Sequence, residues 1–149
     1  MKMIQYNSCG LNNIFLLNGY CEIEYGGQRA YSIHNLDGLH RVIGERLCDL
    51  RRSLKGEELR FLRIELDMSQ KALGEVFGKS DQAIAKWEKG DTDVPRACDL
   101  ILRNIYLEHI GENPLVTEMI KQINILDRRI QEERLTFQEN ENMEWSTAA

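Results

Sequence analysis

The stretch Met68 to Gly90, MSQKALGEVFGKSDQAIAKWEKG, decides how the rest of the chain is read. Ser69 can cap a helix in which Ala72, Leu73, Val76 and Phe77 face inward. Gly78 then supplies the backbone freedom that a tight turn needs. Ser80 caps a second helix, whose Ala83, Ile84 and Trp87 form the buried side while Gln82, Lys86 and Lys89 fall at i, i+4 and i+7 on a separate polar side. Two short helices at that separation form a helix-turn-helix.

The polar side suits a DNA major groove. Gln pairs bidentately with adenine N6 and N7, and Lys donates to guanine O6 and N7, each contact contributing about 1–3 kcal/mol of base discrimination. Residues at i and i+4 lie about 6 Å apart along a helix axis, so Gln82 and Lys86 are spaced to meet neighbouring base pairs. The plainer alternative is that both are ordinary solvated residues on a small helical bundle.

Ser69-Gln70, Ala72-Leu73, Gly78, Ile84 and Trp87-Glu88-Lys89-Gly90, followed by Pro95, resemble the lambda-repressor and Cro type (XRE) family. The resemblance covers about 55 residues, Gly56 to Ile110. It implies that Gln70 binds a backbone phosphate, that Ser80, Asp81, Gln82 and Lys86 face bases, and that Trp87 holds the recognition helix on the core. Ser69, Lys71, Lys79 and Lys89 complete the expected DNA-contacting set. One feature departs from a strongly basic binder: residues 56–110 carry 8 basic and 11 acidic groups, and Asp81 repels phosphate while favouring the helix dipole. Few phosphate contacts imply a shallow salt dependence.

Flanking this motif, Leu59, Leu62 and Leu66 mark a preceding helix, and an apolar helix runs from Pro95 to Ile110 with Pro95 expected at its first position. Asn113-Pro114 breaks the chain. Val116, Met119, Ile123, Leu126 and Ile130 then follow the 3, 4, 3, 4 spacing of a coiled-coil seam for about two heptads. That stripe serves either a dimer contact or packing on the helical domain. From Gln138 the chain is acidic and polar and is expected to fray.

Toward the N-terminus, Tyr20 to Tyr25 and Gln28 to Ile33 alternate apolar with polar around Gly26-Gly27, the pattern of a β-hairpin. Ile14 to Leu17 is a candidate third strand. The expected apolar face of this sheet is Tyr6, Ile14, Leu16, Tyr20, Ile23, Tyr31 and Ile33, beneath a helix bearing Leu39, Val42, Ile43 and Leu47 and capped by Asp37. The cluster Arg46, Arg51, Arg52 and Lys55 reads as a solvated face. The expected fold class is therefore mainly α with a small N-terminal β-sheet. Its divisions are an α+β segment 1–55, the helix-turn-helix bundle 56–111, a C-terminal helix 112–137 that is a candidate for dimerisation, and a flexible acidic tail 138–149.

A small domain ahead of such a bundle, with CGLNNIFLLNGY and IHNLDGLHRVIG, resembles the MqsA (YgiT) type of antitoxin. That family holds structural zinc through two CxxC pairs, whereas this region has only Cys9 and Cys21, so the zinc does not carry over. His34, His40, Cys9, Cys21 and Cys48 read as core cysteines and surface histidines, and neither metal nor cofactor is expected. The antitoxin resemblance implies binding of a partner toxin. A phage or mobile-element regulator, or a module that binds a partner protein through its N-terminal segment, would carry the same core.

Composition bounds the remaining classes. The 149 residues are 42% hydrophobic and 29% charged, enough apolar surface for a packed core. The longest apolar run, Ile14 to Leu17, is far short of the roughly 18 residues of a membrane span, and a cytosolic location with reduced thiols is expected. A net charge of -5 excludes coating of nucleic acid through bulk charge. The chain has no Gly-rich phosphate loop, HExxH or nucleophile elbow, so a DNA-binding role is expected rather than catalysis.

Overall fold

A computed structural model describes residues 3–111 and 136–148. The expected seam residues Val116, Met119, Ile123, Leu126 and Ile130 lie outside the described residues. Among the described residues the order is four short strands, five helices and a final pair of strands, so the fold is mainly helical α+β.

The N-terminal strands form two ribbons rather than one sheet. Strand β1 (Ile4–Gln5) pairs antiparallel with β2 (Phe15–Leu16), and β3 (Tyr20–Tyr25) with β4 (Gln28–Ile33). The third strand expected near Ile14 thus exists but joins the chain start. Gly26 and Gly27 turn the longer hairpin with φ of 59° and 78°, the two positive values a type I′ turn demands. Tyr6 and Leu16 are buried and Ile14, Tyr20 and Ile33 pack partly on the core, but Ile23 and Tyr31 are exposed, because only one end of this hairpin meets the helices.

Helix α1 (Leu36–Cys48) starts one residue before the expected cap, Asp37. Asn35 takes that role, accepting from the Gly38 N–H at 3.2 Å while adopting φ 45°, a left-handed geometry that Asn tolerates better than most residues. Helices α2 (Gly56–Glu65), α3 (Gln70–Phe77), α4 (Asp81–Lys89) and α5 (Arg96–Ile110) follow. Pro95 sits at the N-cap of α5, one position before the expected one, and no side chain caps that helix.

One contiguous core runs from Ile4, Tyr6, Leu11 and Leu16 through Ile43 and Leu47 to Leu59, Leu62, Leu73, Ile84, Trp87, Leu102 and Tyr106. Helix α1 packs on α5 and α2, so the N-terminal segment shares its core with the helical bundle. Gly44 allows that approach, since a Cβ there would collide with the Tyr106 ring. Tyr106 in turn donates its hydroxyl to the Arg41 carbonyl at 3.3 Å.

Among the described residues every buried side-chain nitrogen and oxygen has a hydrogen-bond partner. Arg103, within α5, donates to the carbonyls of Leu50 (2.6 Å) and Arg52 (2.6 Å), where α1 gives way to the connection into α2. Its Nε lies 2.5 Å from Asp99 Oδ1, and Asp99 Oδ2 accepts from the Leu54 N–H at 2.9 Å. A second clamp joins Arg52 to the buried Glu58 at 2.7 and 2.8 Å. Burial alone would raise the Glu58 pKa, but the bonds from Arg52 and from the Lys55 N–H outweigh it and hold the carboxyl below its ordinary range. Arg52 stays exposed with Arg46, Arg51 and Lys55, as expected of a solvated basic cluster, while its guanidinium reaches in to the buried Glu58.

Part of the acidic end of the chain forms a hairpin. Strands β5 (Phe137–Glu139) and β6 (Trp145–Thr147) pair antiparallel, closed by Asn140, whose Oδ1 accepts from the N–H groups of Asn142 and Glu144 at 2.9 Å. Composition suggested fraying, but this Asx turn gives the polar tip local partners that composition does not reveal.

Candidate nucleic-acid interface

The helix-turn-helix is built by its caps. Ser69 Oγ accepts from the Ala72 N–H at 3.0 Å and Ser80 Oγ from the Ala83 N–H at 3.1 Å, so both hydroxyls satisfy first-turn donors. Gly78 ends α3 at φ 67°. The Lys79 N–H then reaches the Gly74 carbonyl at 2.7 Å, and a Cβ on Gly74 would stand 2.5 Å from the Lys79 carbonyl oxygen. The turn therefore depends on Gly74 for closeness and on Gly78 for conformation.

Helix α4 is fixed on its inner side by apolar and ionic contacts together. Ile84 is fully buried, and Trp87 is nearly so, with its ring 6.4 Å from that of Phe77. Beside it, Glu88 takes a bidentate pair from Arg63 of α2, at 2.7 Å from Nε and 3.0 Å from Nη2. Arg63 also donates to the Met68 carbonyl at 2.8 Å, tying in the loop before α3. One arginine thus sets α2, the loop and α4 relative to one another.

The outer side carries Gln82, Lys86 and Lys89, all exposed. Lys71, Lys79 and Asp81 are exposed as well, and Asp81 Oδ1 accepts from the Gln82 N–H at 3.0 Å. Ser69 and Ser80 are exposed with their oxygens engaged in capping. Gln70 is different: it is half-buried and its Nε2 donates to Glu88 Oε1 at 3.2 Å. The structure brings the expected residues onto the motif, with Gln70 coupled to the Arg63–Glu88 pair.

Electrostatics at the motif differ from the segment total. Glu58, Glu88 and Asp99 are compensated internally by Arg52, Arg63 and Arg103. Between Gln70 and Gly90 the exposed charges are Lys71, Lys79, Lys86 and Lys89 against Glu75 and Asp81. The face is locally basic although the segment is acidic. Sequence reading missed the clamping role of Arg63, Glu88, Asp99 and Arg103; the only available signal was charged residues recurring on otherwise apolar helix faces.

Among the described residues no helix is long and apolar enough to cross a membrane, and no group of three or more His, Cys, Asp or Glu side chains is placed to hold a metal. Neither the curated proteins nor the solved structures yield a match to this chain. Residues 59–96, from α2 to the first residue of α5, match the Helix-turn-helix family model, so the chain carries a helix-turn-helix domain of the kind used by DNA-binding transcriptional regulators.

Proposed function

We propose that this chain is a sequence-specific DNA-binding repressor of its own operon, acting as a dimer on a palindromic operator. The observation that carries the reading is the polar face of α4, where Gln82, Lys86 and Lys89 stand exposed on a helix locked from behind by Trp87 and the Arg63–Glu88 pair. A rigid helix with free donors facing outward is what base readout requires. Gln82 and Lys86 serve as base readers, with Ser80 and Asp81 at the start of the helix beside them. Ser69, Gln70, Lys71, Lys79 and Lys89 serve as backbone contacts that set register. Dimerisation through the 116–130 stripe would place two such helices about 34–36 Å apart, one turn of DNA.

Fluorescence anisotropy on duplex DNA from the chain's own upstream region tests this. Wild type should prefer that DNA over a scrambled duplex, and Gln82→Ala combined with Lys86→Ala should abolish the preference with the circular dichroism unchanged. Equal affinity of the wild type for both duplexes refutes sequence-specific repression. A strict monomer on DNA by light scattering removes the palindrome.

A second element of the reading is a protein partner, the toxin of a toxin–antitoxin pair. It is favoured by the apolar groove between β2 and α1, where Phe15 and Val42 are exposed beside Ile14, Leu39 and Leu50, with Arg46 at the rim. Co-purification with the product of the adjacent gene, lost on Phe15→Glu, is the corresponding test. An isolated regulator of a mobile element would show the DNA binding alone.

A further inference from the structure

The hairpin β3–β4 carries a side-chain pair that DNA binding does not use. Cys21 Sγ lies 3.1 Å from His34 Nε2, on the exposed surface of the hairpin. The register fixes this contact: Cys21 stands opposite Ser32, and the His34 N–H donates to the Gly19 carbonyl at 2.8 Å, so His34 extends the same face by one pair. We propose that Cys21 and His34 form a nucleophile–base pair, and that Cys21 is a site of reversible oxidation by hydroperoxides.

The reaction balances with these two residues and the peroxide. His34 Nε2 takes the thiol proton, and the thiolate sulfur attacks one peroxide oxygen. The O–O bond breaks, and the departing hydroxide takes the proton back from the imidazolium to leave as water. Sulfur is oxidised to a sulfenic acid, Cys–SOH, while hydrogen peroxide is reduced. Two equivalents of a small thiol restore the cysteine: the first condenses with Cys–SOH to a mixed disulfide and water, and the second displaces Cys21 as its thiol, leaving the small-molecule disulfide.

The surroundings favour Cys21 over the other three thiols. Cys98 is buried, and Cys48 donates to the Arg103 carbonyl at 3.6 Å. Burial pushes both thiols up, Cys48 to about 11, which keeps them protonated and unreactive. Cys9 is half-buried, and among the described residues the histidine ring hydrogen bonds go to Tyr6, Cys21 and Glu65 rather than to it. Strand alternation sends Glu22, Glu24 and Arg29 to the opposite face, where Arg29 pairs with Glu22 at 3.3 Å. The face of Cys21 otherwise bears Ile23, Tyr25, Gln28, Ala30 and Ser32, and the next charged group along the chain is Asp37 in the first turn of α1. His34 is thus the basic partner that the thiol meets on its own face.

Peptide-resolved mass spectrometry of the full chain treated with hydrogen peroxide and a sulfenic-acid trap, from pH 5 to 9, provides the test. Cys21 should label at least about tenfold faster than Cys9, Cys48 or Cys98. His34→Gln keeps the backbone bond to Gly19 and the exposure of Cys21, yet should slow Cys21 labelling about tenfold and remove the imidazole's contribution to the pH profile of that rate. An unchanged rate and pH profile in His34→Gln, with the hairpin intact by circular dichroism, overturns the pair, as does faster labelling of any other cysteine. The readout is independent of DNA, so its failure leaves the repressor reading standing.

Discussion

His40 Nδ1 lies 2.5 Å from Glu65 Oε1, joining α1 to the last turn of α2. The other ring nitrogen, Nε2, is 2.7 Å from the Tyr6 hydroxyl. A neutral imidazole protonated on Nδ1 satisfies both contacts, donating to Glu65 and accepting from Tyr6. The ring also lies 5.5 Å from that of Phe61. This chain of three side chains pins the N-terminal ribbon to the helix-turn-helix domain at the level of α2. Replacing His40 with Ala strands a half-buried carboxylate and a buried hydroxyl, so unfolding in urea should show a loss of about 1–3 kcal/mol. A change below a few tenths would show that the relay is not coupled to folding.

The Arg63–Glu88 pair leads to a different kind of outcome. Removing one partner leaves a nearly buried charge alone, and Glu88→Ala should cost about 3–5 kcal/mol. Replacing both, as Arg63→Met with Glu88→Leu, should recover most of that loss. DNA affinity should follow the single variant more closely than the double one, because the pair also orients α4. Denaturation and anisotropy on the wild type, Arg63→Met, Glu88→Leu and the variant carrying both form a double-mutant cycle.

Much of the helix-turn-helix was legible because its information is local. Ser69 and Ser80 cap as their positions predict, Gly78 adopts its left-handed turn, and Ile84 and Trp87 face inward at helical spacing. The Gly26-Gly27 turn was readable for the same reason. Pairings that span the sequence were not. Nothing near Ile14 indicates that Phe15 stands opposite Gln5, and His40 gives no sign of Tyr6 thirty-four residues away. Arg103 looks like a charged interruption of an apolar helix until its carbonyl partners at Leu50 and Arg52 are known. Asn35 displaced Asp37 as the cap through a left-handed backbone that hydrophobic periodicity does not register.

Close packing at Gly44 gives a steric prediction. Any Cβ at this position meets the Tyr106 ring, and Tyr106 is held in place by its bond to the Arg41 carbonyl. Gly44→Ala should therefore destabilise by about 1–3 kcal/mol despite the better helix propensity of Ala. Combining it with Tyr106→Phe tests the mechanism through thermal melts, since freeing the ring should return part of the loss.

Stability should also fall in alkali, and the sign follows from two buried acids. Burial, with the Glu65 and Cys48 charges adding to it, pushes the Tyr106 hydroxyl up to about 12, and burial pushes the Cys48 thiol up to about 11. Below the ordinary thiol value of 9.0 both are protonated folded or unfolded, and neither contributes a pH dependence. As pH rises from about 9 toward 11, the unfolded chain ionises at Cys48 while the folded chain does not, so the equilibrium shifts toward unfolding. Tyr106 extends the decline from about 10 toward 12. Cys48→Ala should flatten the melting-temperature curve between pH 9 and 11 relative to wild type, whatever it costs in packing at neutral pH. A parallel decline in both proteins would assign the alkaline loss to other groups.

Salt dependence separates backbone contacts from base contacts on the α3–α4 face. Lys71, Lys79 and Lys89 are exposed lysines outside the proposed base-reading pair, and each phosphate contact contributes a slope of about -0.9 in log K against log salt. Lys71→Gln should weaken specific and scrambled duplexes alike and reduce the slope by about one. Gln82→Ala should leave the slope unchanged and lose only the preference, by about 1–3 kcal/mol. The buried pairing of Glu58, Glu88 and Asp99 means that this face works as a locally basic one, so the slope should exceed what the negative net charge of the segment implies. A slope near zero for the wild type would mean that the four exposed lysines of the motif do not meet phosphate, and it would direct attention from α4 to the N-terminal ribbon as the binding surface.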